Sequence, residues 1–240
     1  MTKNIGDKGL LHSIGILASG TVIAQVIGIC IFPLLTRFYS PEDFGILAVY
    51  ASVLAIFAII VTLRYQLAIP IAEKDDDALC LVLLCLIINI IITTICTIFI
   101  YSYGSNILIL LGASNLSPYI WLIPLGMFFS GVYQTLNYWA IRVGDFKNIA
   151  RSKVWQVSVM GAVQLFGYKF GIASLIVGQA IGQSAGSTTL AKSIYKFKKK
   201  DILSHDKLKE QAVKYRRYPL FDTWAALANT CGSQLPPLLS

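Results

Sequence analysis

Residues 78–101 read ALCLVLLCLIINIIITTICTIFIY, twenty-four residues without a charge, entered through Asp75, Asp76 and Asp77. A helix of about 20 apolar residues crosses the hydrocarbon core of a bilayer. In lipid, each backbone group must be satisfied within its own segment, so such a run predicts a membrane helix. The run is continuous and does not alternate, which argues against a transmembrane barrel. No further charge appears until Arg142, too far for one helix. Gly104-Ser105-Asn106, then Gly112, Ser114, Asn115, Ser117 and Pro118, supply the break. Two spans follow, residues 78–101 and 118–141, with 107–111 too short to cross and expected to lie in the interface.

The same reading extends outward in both directions. A first span falls between His12 and Arg37, with Pro33 as a kink or stop. Ser40-Pro41-Glu42-Asp43 reads as a helix start, with Ser40 as N-cap and Pro41 at the first position. The second span begins at Phe44 and stays apolar to Ala72, with Pro70 ending it. On a continuous helix, Arg64 would lie roughly 30 Å along the axis from Phe44. The fifth span is uncharged only over 154–168, so it must also take in 149–153, drawing Arg151 and Lys153 into or beside the membrane. Residues 171–191 form a sixth span rich in Gly and Ser, with a weak Gly178–Gly182 GxxxG signal. A seventh begins near Pro219 and contains Pro236-Pro237. The expected fold is an all-α polytopic bundle of about six complete helices plus part of a seventh. It divides into a lobe over 1–191, a basic loop over 192–218 and the start of a second lobe over 219–240.

Composition agrees with this reading. The chain of 240 residues is 56% hydrophobic and 13% charged, where a soluble domain carries about a quarter charged residues. Its formal charge of +8 is a topological excess. Eighteen of the twenty Lys and Arg fall on one side of the predicted spans, and only Arg37 and Lys169 on the other. That places the N-terminus and the long basic loop in the cytoplasm, and it leaves no case for nucleic-acid binding. The first apolar run is too long for a cleaved signal peptide and lacks a small-residue cleavage site. The five cysteines all sit in apolar segments without a CxxC pair and read as small apolar residues.

No convincing catalytic constellation appears, and no cofactor or metal is expected. His12 and His205 have no partner pattern. Asp75, Asp76 and Asp77 fit a D-x-D spacing that holds a metal and a nucleotide sugar in some glycosyltransferases, or form a solvated acidic loop. Arg37, Arg64, Arg142, Arg151 and Lys153 stand at membrane ends. Each either snorkels as a topology anchor or faces a cavity where it could grip a phosphate. Arg64 and Lys153 fit the anchor reading least well. Gln25, Asn89, Gln134, Asn137, Gln156, Gln164, Gln179 and Gln183 should avoid lipid, either bonding neighbouring helices or binding a sugar. Trp139 and Trp155 read as interface-belt residues. The basic loop binds anionic headgroups or a partner, or it only enforces topology.

Four patches in order carry a resemblance: residues 33–45 (PLLTRFYSPEDFG), 63–70 (LRYQLAIP) with the acidic loop after it, 137–147 (NYWAIRVGDFK), and 218–239 from Tyr218-Pro219-Leu220-Phe221-Asp222 to Leu235-Pro236-Pro237-Leu238-Leu239. Together they resemble the oligosaccharide (O-antigen, Wzx-type) flippases of bacterial polysaccharide biosynthesis, part of the superfamily that includes multidrug exporters and the lipid II flippase. The resemblance implies two pseudo-symmetric helical lobes around a central cavity in the bacterial cytoplasmic (inner) membrane. It implies that an undecaprenyl-pyrophosphate-linked oligosaccharide crosses between leaflets by alternating access, with an ion gradient as a candidate driving force. Other implied partners are membrane lipids, a polysaccharide polymerase and a chain-length regulator. The family's cationic cavity residues map onto Arg37, Arg64, Arg142 and Lys153, with Gln134, Asn137 and Gln156 as polar candidates. Members have about twelve or more helices, so this chain corresponds to an N-terminal lobe, and by itself it is expected not to flip substrate. Two other functions fit the sequence: a small-molecule exporter of the same superfamily, or a membrane glycosyltransferase or polymerase acting on polyprenyl-linked sugars.

Overall fold

The computed structural model describes residues 7–110, 114–195 and 205–239. Among these residues the fold is helical throughout: α1 (Asp7–Leu35), α2 (Pro41–Ile60), α3 (Asp75–Leu110), α4 (Leu122–Arg142), α5 (Phe146–Phe166), α6 (Ile172–Tyr195), α7 (His205–Lys214) and α8 (Thr223–Leu239). Three stretches are long and apolar enough to cross a membrane: Ser13–Leu35, Pro41–Ile60 and Asp75–Gly104. Helices α4, α5 and α6 have 21, 21 and 24 residues. They carry more Gln, Asn and Ser and pack in the middle of the bundle. α6 lies against α5, α4 and α2, α1 against α5, α3 against α4, and α8 against α2.

Local chemistry sets the boundaries. Pro33 does not stop α1, which runs two residues further; the one ladder donor it lacks is the amide that would bond to Ile29. Ser40 caps α2 as expected: its Oγ accepts from the Asp43 amide at 3.3 Å, while Asp43 accepts from the Ser40 amide at 3.0 Å, with Pro41 in the first turn. The second span is shorter than its sequence suggests. α2 ends at Ile60, and Leu63 and Arg64 turn through the left-handed region with φ of 48° and 61° before a 3-10 turn at Tyr65–Ala68. Arg64 therefore lies on a corner after the helix, not on a continuing axis. The third helix is longer than expected. It starts at Asp75, whose carboxylate and its two acidic neighbours suit a helix N-terminus, and it passes through Gly104 to Leu110. Residues 107–110 therefore extend α3 and form no separate interfacial piece. Gly104 is buried, and the space a Cβ would need there is taken by Ile120. The break then comprises the 3-10 segment Ser114–Tyr119; Gly112 lies outside the described residues. The fifth helix includes Arg151 and Lys153 as expected, with Asp145 as its cap.

Small residues on α6 let it approach its neighbours, as the sixth segment's composition suggested. A Cβ on Gly182 would meet the Gln156 backbone oxygen at 2.9 Å, and one on Gly186 would meet the Tyr133 ring at 2.8 Å. On α3, Ile87, Ile91, Ile95 and Ile98 form an exposed apolar stripe at helical spacing, the face suited to lipid.

Part of the basic connector lies among the described residues. α6 continues to Tyr195, and α7 lies across α3. Lys196, Lys198, Lys199 and Lys200 fall outside the described residues, as do the side chains of His12 and His205. Cations separate between the two ends of the bundle. Arg37 follows α1 at the end where the Tyr39 hydroxyl donates to the Gln164 carbonyl at 2.6 Å and Phe38 stacks near Tyr168, next to Lys169. Arg64, Arg142 and Lys214 gather at the opposite end, called the basic end below.

Candidate functional site

The basic end is built around the irregular segment between α2 and α3. Arg142, in the last turn of α4, reaches across to it. Its Nη1 donates to the carbonyls of Ile69 at 3.0 Å, Pro70 at 3.3 Å and Ala72 at 2.7 Å. Its Nε and Nη2 both donate to Asp75 Oδ1, at 3.2 and 3.0 Å. Its side chain is only 10% exposed. The rigid guanidinium fork suits this task, and a lysine could not copy it. Below the clamp, Tyr65, Ile69, Leu81 and Trp139 form a buried cluster that Tyr215 and Tyr218 join from the connector.

α7 docks on the same segment. Tyr65 Oη donates to the Ala212 carbonyl at 3.0 Å, and Lys214 Nζ donates to Glu73 Oε1 at 2.8 Å. The lysine holds the Glu73 carboxyl below its ordinary value, and the carboxylate raises Lys214 above its own. The depressed carboxyl contributes stability above its unfolded pKa and loses it as pH falls through the folded one. The raised lysine contributes below its unfolded pKa and loses it as pH rises through the folded one. The contact is therefore intact across neutral pH and opens in acid. The protection factors of the amides over 207–214, taken against the intrinsic exchange rate at each pH, should fall between pH 7 and pH 3, and also at high salt, since the pair is exposed.

Arg64 is held differently. Its Nε donates to Asp222 Oδ2 at 2.7 Å, with the side chains 26% and 42% exposed. Asp222 ends a π-helical turn, Tyr218–Asp222, that leads into α8. A pocket of about 320 Å³ lies here, lined by Arg217, Tyr218, Phe221, Asp222 and Ala225. Non-glycine left-handed residues and π turns both gather at functional sites.

A polar seam runs inside the bundle. Gln134 Nε2 donates to the Ala58 carbonyl and to Ser130 Oγ, each at 3.3 Å, and its Oε1 accepts from Gln66 Nε2 at 3.3 Å. Thr62 donates in turn to Gln66 Oε1. Asn89, fully buried, donates to the Phe128 carbonyl at 3.0 Å. Gln164 donates to the Leu175 carbonyl at 3.0 Å. These side chains bond neighbouring helices, one of the two uses open to them from sequence.

The predicted residues do not form one cluster. Arg37 is exposed at the far end. Lys153 Nζ, half-buried in α5, donates to Thr21 Oγ1 of α1 at 3.0 Å. Gln156, one turn further along α5, faces α6. Asn137 Oδ1 is buried without a hydrogen-bond partner among the described residues. Of the seven, Arg64 and Arg142 lie together at the basic end. Sequence reasoning passed over Gln66 and Thr62, although a glutamine inside the apolar stretch 65–72 was a signal of the kind used for Gln134. Among the described residues, no group of three His, Cys, Asp or Glu side chains is placed to hold a metal ion.

A family model described as polysaccharide biosynthesis protein matches residues 34–217, well over half of the chain; most of α1, the turn Tyr218–Asp222 and α8 lie outside the match. The chain belongs to the polysaccharide biosynthesis protein family. No curated protein and no solved structure matches it. Within this family member, the matched region holds Arg64, the Arg142 clamp and the polar seam, and it ends at Arg217, beside the pocket. Membership assigns the chain a role in making or exporting polysaccharide, in agreement with the membrane-length apolar helices.

Proposed function

We propose that this chain takes part in the membrane-crossing step of polysaccharide assembly, in which a polyprenyl-pyrophosphate-linked oligosaccharide moves between leaflets by alternating access. The observation that carries the reading is Arg64: a partly exposed guanidinium on a left-handed corner at the end of a membrane-length helix, with Arg217 and a pocket beside it. A pyrophosphate needs delocalised cations near the headgroup level, and an arginine fork matches its oxygens. On this proposal the basic end lies at the cytoplasmic face of the inner membrane, where the N-terminus would also lie. The bundle would serve as one lobe of the transporter, with the exposed Phe221 and Trp224 of the α8 region turned toward the pathway. A polymerase and a chain-length regulator are the expected partners downstream.

Two observations favour this over the alternatives. Asp75, the first carboxylate of the D-x-D pattern, is tied to Arg142, which weighs against a metal-dependent glycosyltransferase. Asp222, the carboxylate at the start of the seventh apolar segment, is paired with Arg64, which weighs against an exporter of cations. Native mass spectrometry of the protein in lipid-like detergent tests the proposal. Polyprenyl pyrophosphate carrying a short glycan should bind in preference to the monophosphate lipid and to free glycan. Arg64→Ala should weaken that binding by about tenfold, the scale of one charge-assisted hydrogen bond. Equal binding of all three ligands, indifferent to Arg64, would contradict it.

A further inference from the structure

The two arginines of the basic end are satisfied to different degrees. All three nitrogens of Arg142 donate, and the side chain is buried. Arg64 makes one described bond, to a carboxylate that is itself well exposed. Both partners also sit on irregular backbone. Leu63 and Arg64 are left-handed, and Asp222 closes a π turn that begins at Tyr218 and contains Pro219. The carboxylate lines the same pocket as Arg217. At about 320 Å³ the pocket is at the small end of ligand clefts, which run roughly 300–1,000 Å³.

We propose that Asp222 is a built-in stand-in for phosphate. A phosphoanion entering the pocket takes the place of the carboxylate on Arg64, gains Arg217 as a second cation, and releases the first turn of α8 from the corner after α2. The inference rests on the reading of Arg64 as the headgroup cation and adds the group that the headgroup must displace. Carboxylate and phosphate present the same pair of acceptors to a guanidinium, and the phosphate carries more charge. The resident pair is exposed, and exposed pairs are weak enough to exchange. The exchange also links binding to conformation, because α8 packs on α2 and the ion pair is a bond between the segments that precede and follow these helices. A ligand shifts such an equilibrium only by its differential affinity for the open state. While the pair is closed, apparent affinity is reduced by the fraction of molecules that are open.

Calorimetric titration of the full chain with inorganic phosphate, inorganic pyrophosphate and polyprenyl pyrophosphate tests this. Asp222→Asn and Asp222→Ser should each bind pyrophosphate about two- to fivefold tighter than the parent, the range set by the strength of an exposed pair. Arg64→Gln should bind at least about tenfold more weakly. Tightening with all anions points to a phosphate site in general, and tightening with the polyprenyl ligand alone to a lipid headgroup site; both support the exchange. In the unmutated protein, carbodiimide labelling of Asp222 should rise on addition of pyrophosphate, which checks the exchange without a variant. Unchanged or weaker binding in both Asp222 variants, with loss in Arg64→Gln, would overturn the exchange and leave the headgroup reading standing. Absence of binding by the parent to every probe would overturn both.

Discussion

Arg142→Ala should destabilise the bundle by about 3 kcal/mol and open the segment between α2 and α3 to protease. The truncation removes the donors for three carbonyls and for Asp75 in one step. Backbone acceptors that lose their partner while buried cost about 1–3 kcal/mol each when no water replaces it, and breaking a buried ion pair costs 3–5 kcal/mol. Asp75 is half exposed and can be rehydrated, so the lower part of that range applies. Arg142→Lys should recover part of the loss at most, because an ammonium cannot reach three carbonyls and a carboxylate together. Thermal unfolding followed by intrinsic fluorescence reads the effect directly, since Trp139 is buried in the cluster under the clamp. Behaviour like the parent's would mean that Arg142 is free to serve another role, including substrate contact.

Gly20→Ala should be nearly as damaging, although it adds a single methyl group. Gly20 faces Ala150 where α1 crosses α5, and a Cβ there would fall 2.7 Å from the Ala150 Cα, a backbone atom that cannot swing away. The two helices must separate, at about 1–3 kcal/mol for overpacking, with a larger cost for Gly20→Leu. The separation would also disturb the Lys153–Thr21 contact across the same interface. Gly15, on the same helix, has nothing within 4 Å of its would-be Cβ. Gly15→Ala should therefore be neutral or stabilising by up to about 1 kcal/mol through helix propensity. Melting temperatures of the two variants in one detergent provide the comparison, and equal shifts would remove the close-crossing explanation.

The helices were legible because their signals are local. The apolar run after Asp77, the Ser40-Pro41-Glu42-Asp43 cap and the forced inclusion of Arg151 and Lys153 in the fifth helix each follow from a few adjacent residues. The corner at Arg64 was not legible. Leu63, Arg64 and Tyr65 carry no glycine to mark a left-handed turn, and the apolar stretch around them reads as more helix. Tertiary contacts hold the corner: Asp222, more than 150 residues away, and the Gln66–Gln134 bond. α3 runs past its expected end for a related reason. Gly104-Ser105-Asn106 breaks a helix by propensity, but packing against Ile120 keeps it going. At the site, residue type identified Arg64 and Arg142 as cations worth attention. Only the hydrogen bonds distinguish a saturated clamp from an arginine with a single, replaceable partner.

The central claim is that the pocket beside Arg64 receives the headgroup of a polyprenyl-linked glycan. Photo-cross-linking in living cells tests it most directly, with benzoylphenylalanine in place of Phe221, which is exposed and lines the pocket, and in place of Ile98 on the exposed α3 stripe. Position 221 should capture polyprenyl-pyrophosphate-linked glycan, Arg64→Ala should remove most of this capture, and position 98 should capture only bulk phospholipid. Capture of phospholipid alone at both positions, or glycan capture at 221 that survives Arg64→Ala, would contradict it.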